Sequence, residues 1–389
     1  MKKIALIPIR KGSKGVPDKN TRELLGRPLY QWVLGESIFS ELDTVYVFTD
    51  DADVISFIEK EYKWTEKVVA LERSSANASD TASTESAMLE LSQRIHHEYD
   101  IICLLQATSP LTTRTDINNC LSLVESEKFD SALSVVNSKR FVWSPDGHAW
   151  NYDVFNRPRR QDFDGILVEN GAIYVSRKSS FLKSENRISG NIGLFRMAEN
   201  QFHEIDEEYD FRVVNTLLQK QLSGSKKNIG RIQSIVFDID GVMTDGRVLT
   251  GSSEELGKFF SMRDGLGISK LTKNNIIPIV LTSEDSQIVQ TRMDKMKIKN
   301  TVLGTRDKYT RLEYILGNLN LTRSNIAYIG DDINDLANMV SCAWSFCPLD
   351  AVDTIKYNAD VVLTRPGGNC AVREAIEFVL RYNERFHTR

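Results

Sequence analysis

Short apolar runs separated by segments of helical period dominate the first half of the chain. Ile4 to Ile9, Thr44 to Thr49, Ile101 to Leu105 and Ser131 to Val136 read as strands. Tyr30 to Phe39, Ala52 to Glu61, Thr84 to Ile95 and Asp116 to Glu125 read as helices. Alternation of this kind implies a parallel sheet with helices on both faces. The pattern lapses over 219–231, a polar stretch containing Ser223-Gly224-Ser225-Lys226-Lys227, which reads as a linker. A second alternation follows, with Ile235-Val236-Phe237, Ile276 to Leu281 and Ile326 to Ile329 as its strands. The organisation expected is therefore α/β throughout, with domains at 1–218 and 232–389.

One region breaks the alternation. Residues 139–164 hold Trp143, Trp150, Tyr152, Phe155 and Phe163 among Pro, Asn and Arg, with weak periodicity. A long aromatic excursion from an α/β core is either an arm or lid that meets something else, or a loop that packs its rings on itself.

Composition narrows the function classes. The formal net charge of −4 gives no basis for nucleic-acid binding. No apolar run is long enough to span a bilayer. Lys2-Lys3 before Ile4 to Ile9 is not a signal peptide, because Pro8 breaks the run and Arg10 ends it. Cys103, Cys120, Cys342, Cys347 and Cys370 form no CxxC pair and read as reduced thiols. With the chain starting straight at its first strand, a cytoplasmic protein is expected.

The sharpest chemistry lies at Asp238-Ile239-Asp240-Gly241, directly after a buried strand. Carboxylates two residues apart at a strand end can share one cleft, one as nucleophile and the other as proton donor. Three further pieces follow in order: Leu281-Thr282-Ser283, the cation Lys308 at a helix start, and Gly330-Asp331-Asp332-Ile333-Asn334-Asp335 after the third strand. Converging strand ends are where open α/β sheets place their chemistry. The reading is phosphoryl transfer. Asp238 attacks phosphorus, Asp240 serves as acid and base, and Thr282 and Lys308 hold the phosphoryl oxygens. Asp238, Asp331 and the Asp240 carbonyl supply hard oxygens for Mg²⁺.

This set resembles the haloacid dehalogenase superfamily. Together with Arg263-Asp264-Gly265-Leu266-Gly267-Ile268 and Gly367-Gly368-Asn369-Cys370, it is similar to the cap-less phosphatases of 3-deoxy-octulosonate 8-phosphate and nonulosonate 9-phosphates. That resemblance implies tetramers in which a neighbour closes an open site. Glu284 stands after the Thr-Ser pair where the octulosonate enzymes usually carry Arg, so the likeness at that sugar-binding position is to enzymes of nine-carbon acids.

The first strand is followed by Arg10-Lys11-Gly12-Ser13-Lys14-Gly15-Val16-Pro17-Asp18-Lys19-Asn20. Gly12, Ser13 and Gly15 let backbone N–H groups approach phosphates, while Arg10, Lys14 and Lys19 supply charge. It is neither a Walker A loop nor a dinucleotide fingerprint. Gln106 at a strand end suits a base or sugar edge. Arg157-Pro158-Arg159-Arg160-Gln161 offers forked donors for carboxylate or phosphate ahead of Glu169-Asn170-Gly171. The acidic run from Glu204 to Asp210 is either a Mg²⁺ site beside a triphosphate or a solvated face.

Residues 1–218 resemble the acylneuraminate cytidylyltransferases. The resemblance implies transfer of CMP from CTP to a free nonulosonic acid, with release of pyrophosphate. It places Arg10, Ser13, Lys19, Asn20, Arg73 and Gln106 on the nucleotide, and Arg160, Gln161 and Asn170 on the sugar, with Arg159 as the catalytic arginine. The family's Asp-Ile-Asp metal motif reads Glu204-Ile205-Asp206 here, one methylene longer at its first acid. The family uses an arm matching 140–165 for dimer contacts. Both halves are therefore expected to be Rossmann-like and to use Mg²⁺. Their order is similar to that of the vertebrate synthetases, whose C-terminal half lacks the nucleophilic Asp and serves as an oligomerisation module. Keeping Asp238, Asp240, Thr282, Lys308 and Asp331 points instead to a second active enzyme, one that releases the acid the first consumes.

Overall fold

The structure is a computed structural model, and it describes residues 1–386 apart from 13–14, 80, 228–229 and 253–254. The chain folds as two compact units, Met1–Leu24 with Pro28–Leu217, and Leu25–Arg27 with Leu218–Arg389.

The first unit is built on β1 (Lys3–Ile9), β2 (Thr44–Thr49), β3 (Val68–Glu72), β4 (Ile101–Leu105), β5 (Ser131–Ser138), β6 (Ile166–Arg177) and β7 (Ile192–Met197). They form a seven-stranded sheet in the order β3-β2-β1-β4-β6-β5-β7. Helices α1 (Leu29–Ile38), α2 (Ala52–Glu61), α3 (Thr84–Arg94) and α4 (Arg114–Glu125) connect the strands. Along β1, Ala5, Ile7 and Ile9 enter one core and Ile4 and Leu6 another. A strand buried on both faces reads as a continuous apolar run, which is why β1 and β4 were legible. Local signals set the helix ends. Thr113 and Asp116 form a capping box at the start of α4.

The sheet is not wholly parallel. β6 runs antiparallel to both β4 and β5. Its run is interrupted by Glu169-Asn170-Gly171, so it lacked the apolar continuity of a central strand. The stretch expected as a linker is also partly regular. After α5 (Lys178–Ser184), helix α6 covers Glu208–Leu222, and a 3-10 turn covers Ser223–Lys227. Phe211, Val214 and Leu218 recur at helical spacing and are buried, which carries α6 past its polar end.

The second unit has a six-stranded sheet. Its strands are β8 (Ser234–Phe237), β11 (Ile277–Leu281), β12 (Asn300–Val302), β13 (Ile326–Ile329), β14 (Trp344–Cys347) and β15 (Val361–Val362). The order is β12-β11-β8-β13-β14-β15, and every pair is parallel. A small antiparallel ribbon, β9 (Leu249–Thr250) with β10 (Glu255–Gly257), leaves the chain after β8. Helices α7 (Met262–Lys273), α8 (Gln287–Lys295) and α9 (Lys308–Asn318) follow. The C-terminal helix Ala371–Glu384 packs Val372, Ile376 and Val379 into the core that holds Ile235 and Phe237.

Candidate active sites

In the first unit a cleft of about 200 Å³ opens at strand ends, lined by Arg10, Lys19, Asn20, Arg73, Gln106 and Thr108 among others. Arg10, Arg73 and Gln106 directly follow β1, β3 and β4. Those strands are parallel through their neighbours, so their carboxyl ends share one edge. Arg73 is buried, its backbone N–H donates to the Thr49 carbonyl at 2.8 Å, and its Nε has no hydrogen-bond partner. Burial lowers its affinity for the proton, Asp50 and Glu90 oppose that, and Arg10 lowers it further. Two guanidinium groups thus face one space, an arrangement suited to a polyanion.

The glycine loop closes against the acidic segment. A Cβ on Gly15 would lie 2.9 Å from the Asp206 carbonyl oxygen. Lys19 Nζ donates to the Ile205 carbonyl and to Asp206 Oδ1, both at 3.0 Å. Gly171, at φ +69°, leaves room for Glu204, whose Oε2 would lie 2.8 Å from an added Cβ. Burial, then Asp206, raises Glu204 above the ordinary carboxylate value. Gly12 adopts φ +70° in open space. Ser13 and Lys14 lie outside the described residues.

The expected sugar-side residues do not join this cleft. Arg159, Arg160 and Gln161 are exposed on the excursion, with Arg160 3.5 Å from Glu199. Asn170 is buried and spent internally. It accepts from Ser134 Oγ at 2.7 Å and donates to the Gln201 carbonyl at 2.9 Å. Within the excursion, Phe141 packs on Tyr152 and Phe163 at 4.4 and 5.1 Å, while Trp150 and Phe155 are 73% and 102% exposed.

The second unit brings its predicted residues together. A cleft of about 280 Å³ is lined by Asp238, Asp240, Thr282, Glu284, Lys308 and Asp331 among others. Asp238 follows β8, Thr282 follows β11, Asp331 follows β13 after one residue, and Lys308 is the first residue of α9. Asp307 caps α9 by accepting from the Thr310 N–H at 3.2 Å. Gly241, at φ +81°, is obligatory. A Cβ there would lie 2.0 Å from Asp331 Oδ2.

Lys308 Nζ sits 2.9 Å from Asp238 Oδ2 and 2.9 Å from Asp335 Oδ1. Asp335, fully buried, also accepts from Tyr328 Oη at 2.7 Å and from the Asp331 N–H at 3.2 Å. Asp335 closes the motif that begins at Gly330, yet its role could not be read from that motif. Its position four residues after Asp331, behind the strand end, was the available signal. Asp238, Asp331 and Asp335 each bring an oxygen within 4.8 Å of the others. Burial, then Asp335, pushes Asp238 well above the usual carboxylate range, and the same causes push Asp331 up to about 7. Burial alone would lower Lys308, yet Asp238 and Asp335 hold it above the ordinary lysine value. Three carboxyls thus stand against a single buried ammonium. A hard divalent cation fits both the oxygen donors and that surplus.

Asp240 stands apart from this cluster. Lys258 Nζ reaches its Oδ1 and Oδ2 at 2.7 and 2.9 Å and Glu255 Oε1 at 3.3 Å. No motif in the sequence marked Lys258. Thr282 Oγ1 accepts from the Glu284 N–H at 3.3 Å, and Glu284 itself is exposed.

These features define a nucleotide-handling α/β unit followed by a hydrolase-type unit with an aspartate cluster at its sheet edge. Residues 4–224 match the cytidylyltransferase family and residues 266–370 the haloacid dehalogenase-like hydrolases. N-acylneuraminate cytidylyltransferase B of Danio rerio is 30% identical over 387 residues, covering 97% of this chain and 90% of its own. The chain belongs to the N-acylneuraminate cytidylyltransferase family, with a haloacid dehalogenase-like hydrolase domain at its C-terminal end. The 3-deoxy-D-manno-octulosonate 8-phosphate phosphatase of Haemophilus influenzae is 35% identical over 156 residues, 40% of this chain and 87% of its own. The solved Moraxella catarrhalis phosphatase of the same name, in complex with magnesium, phosphate and KDO, is 30% identical with a TM-score of 0.39, covering 43% of this chain and 95% of that one. Among the described residues no helix is long and apolar enough to cross a membrane.

Proposed function

We propose that the chain is bifunctional, releasing phosphate from a nonulosonate 9-phosphate in its second unit and transferring CMP from CTP to the free acid in its first. The observation that carries the second activity is Lys308 set between Asp238 and Asp335 in the cleft that also holds Asp240 and Thr282. Asp238 Oδ attacks phosphorus and the ester P–O bond breaks. Asp240 gives the leaving oxygen its proton and then takes one from the water that attacks the aspartyl phosphate. Lys308 and Thr282 stabilise the phosphoryl oxygens. Mg²⁺ held by Asp238, Asp331 and the Asp240 carbonyl would supply charge neutralisation at phosphorus. Glu284 in the lining of the cleft favours a nine-carbon over an eight-carbon acid.

In the first unit Arg10, Lys19 and Arg73 hold the triphosphate and Gln106 the base, with Ser13, Asn20, Lys14 and the Gly12–Gly15 backbone completing the loop. Glu204 and Asp206 would hold a Mg²⁺ that neutralises charge on the triphosphate. Arg159, Arg160 and Gln161, exposed on the excursion, are the sugar-side donors, and Asn170, whose amide is hydrogen-bonded to Ser134 and Gln201, supports that side from within. The exposed Trp150 and Phe155 support an arm that makes a dimer. Exposed Leu249, Leu256, Phe259, Met262 and Leu266 support assembly to a tetramer through the second unit. The same apolar residues favour one other reading, in which that unit is a scaffold without activity.

The deciding experiment offers nonulosonate 9-phosphates and deoxyoctulosonate 8-phosphate with Mg²⁺ and measures phosphate. Turnover of a nine-carbon ester that is lost in Asp238→Asn is expected. No turnover of any ester leaves the scaffold reading. Pyrophosphate release from CTP with the free acid, retained in Asp238→Asn, tests the first unit in the same preparations.

A further inference from the structure

Behind Asp240 the ribbon of β9 and β10 delivers a lysine that the reaction above does not use. Lys258 follows β10 directly, and its side chain is 1% exposed. Its ammonium bonds both oxygens of the Asp240 carboxylate, at 2.7 and 2.9 Å. Asp240 is among the residues that line the cleft and Lys258 is not, so the ammonium meets the carboxylate without itself forming the cleft wall. Lys258 is itself steered. Glu255 lies 3.3 Å away and accepts from Ser286 Oγ, and Ser286 is the N-cap of α8. A buried cation held between two carboxylates has little rotational freedom. Thr244 Oγ1, 3.3 Å from Asp240 Oδ1, adds a second restraint.

We propose that Lys258 is a positioning residue for the general acid, fixing the Asp240 carboxyl against the leaving oxygen and stabilising the carboxylate that forms there. The proposal rests on the phosphatase reading. As the Asp238 Oδ–P bond forms and the ester P–O bond breaks, the Asp240 proton passes to the leaving alkoxide. Negative charge then appears on Asp240, where Lys258 already points, and preorganised charge of this kind lowers a barrier without reorganisation. A sugar alkoxide needs that proton, and a nitrophenolate does not.

The test is the ratio of kcat/KM for the sugar-acid phosphate to kcat/KM for 4-nitrophenyl phosphate, with Mg²⁺, in wild type and Lys258→Met. This quantity reports the step that forms the aspartyl phosphate. Loss of folded protein removes sites for both esters alike and cancels in the ratio. Lys258→Met should lower the ratio by about tenfold or more. An unchanged or raised ratio overturns the proposal, even if both rates fall together. Lys258→Gln, which keeps one donor, is read the same way should the Met variant not fold. Wild-type protein that hydrolyses neither ester overturns the phosphatase reading itself, which is a different outcome from an unchanged ratio.

Discussion

At the strand ends of the first unit, Arg10, Lys19 and Arg73 gather in one cleft and give it a cationic lining. At the corresponding edge of the second unit, Asp238, Asp331 and Asp335 surround a single buried Lys308. Both arrangements are electrostatically lopsided, with opposite signs. The first is rich in cations and suits a polyphosphate. The second is rich in anions and suits a divalent metal with a phosphate monoester. The contrast also lies in how the charges are held. Arg73 keeps an unpartnered Nε, while Lys308 is clamped at 2.9 Å on two sides. An open cationic cleft loses affinity when a charge is removed. A clamped cluster loses both chemistry and fold.

The largest effect should follow from unclamping the second cluster. Lys308→Met leaves Asp238 and Asp335 buried without their counter-charge. Phosphate release should fall by about a thousandfold or more. Unfolding free energy in chelated protein should drop by about 3–5 kcal/mol, the usual cost of orphaning a buried charge. Mg²⁺ should restore part of the stability and little of the rate. A variant as stable and active as wild type would show that Lys308 balances nothing. The mirror experiment is Arg73→Ala in the first unit. There kcat/KM for CTP should fall by roughly ten- to a hundredfold, the worth of a charged hydrogen bond. Phosphate release should stay unchanged. Arg73→Lys should recover only part, because a point charge does not replace a fork. An unchanged response to CTP would remove Arg73 from the nucleotide site.

The sequence disclosed these two clefts unequally. Asp238, Asp240, Thr282 and Asp331 directly or nearly follow strands with clear apolar runs and Lys308 opens a helix, so their convergence could be read from order alone. In the first cleft Arg10 and Gln106 follow legible strands in the same way, Lys19 and Asn20 were marked by the composition of their loop, and Arg73, which follows a strand the apolar pattern did not mark, only by the family resemblance. Asp335 and Lys258 were missed because their meaning depends on three-dimensional partners, Tyr328 and Asp240, that no spacing announces. Antiparallel β6 was missed because polar residues interrupt its run. The placement of Arg159 to Gln161 follows from a long excursion that carries no period to fix it.

A smaller effect separates charge surplus from mere burial. Asp331 is raised to about 7, by burial first and Asp335 next. A carboxyl whose folded value lies above its unfolded one adds stability while it is protonated. That contribution is whole below its unfolded value of about 4 and is lost as pH rises through about 7. Asp238, raised in the same direction, adds to the same slope. In chelated protein the thermal midpoint of the second unit should therefore decline between roughly pH 5 and pH 8. Saturating Mg²⁺, which binds the ionised forms, should flatten or reverse that slope. Identical slopes with and without Mg²⁺ would mean that the cluster binds no cation.

The smallest effect on stability, and the one that best sharpens the comparison, concerns the aromatic excursion. Its rings fall into two layers. Phe141, Tyr152 and Phe163 pack on one another, and Arg157 stacks 4.6 Å above the Phe141 ring. Trp150 and Phe155 lie outside, and Phe155 is wholly exposed. Removing an inner ring costs packing inside one chain, so Phe141→Ala should lower stability by about 1–3 kcal/mol. Removing an outer ring takes away little burial within the same chain, so Phe155→Ala should change stability by less than about 0.5 kcal/mol. If the arm meets a second copy, that silent substitution should still weaken self-association by about tenfold, as anchoring aromatics do at interfaces. Sedimentation equilibrium of Phe155→Ala and Trp150→Ala measures this directly. Unchanged association in both would make the outer rings bystanders and leave dimer formation to another surface.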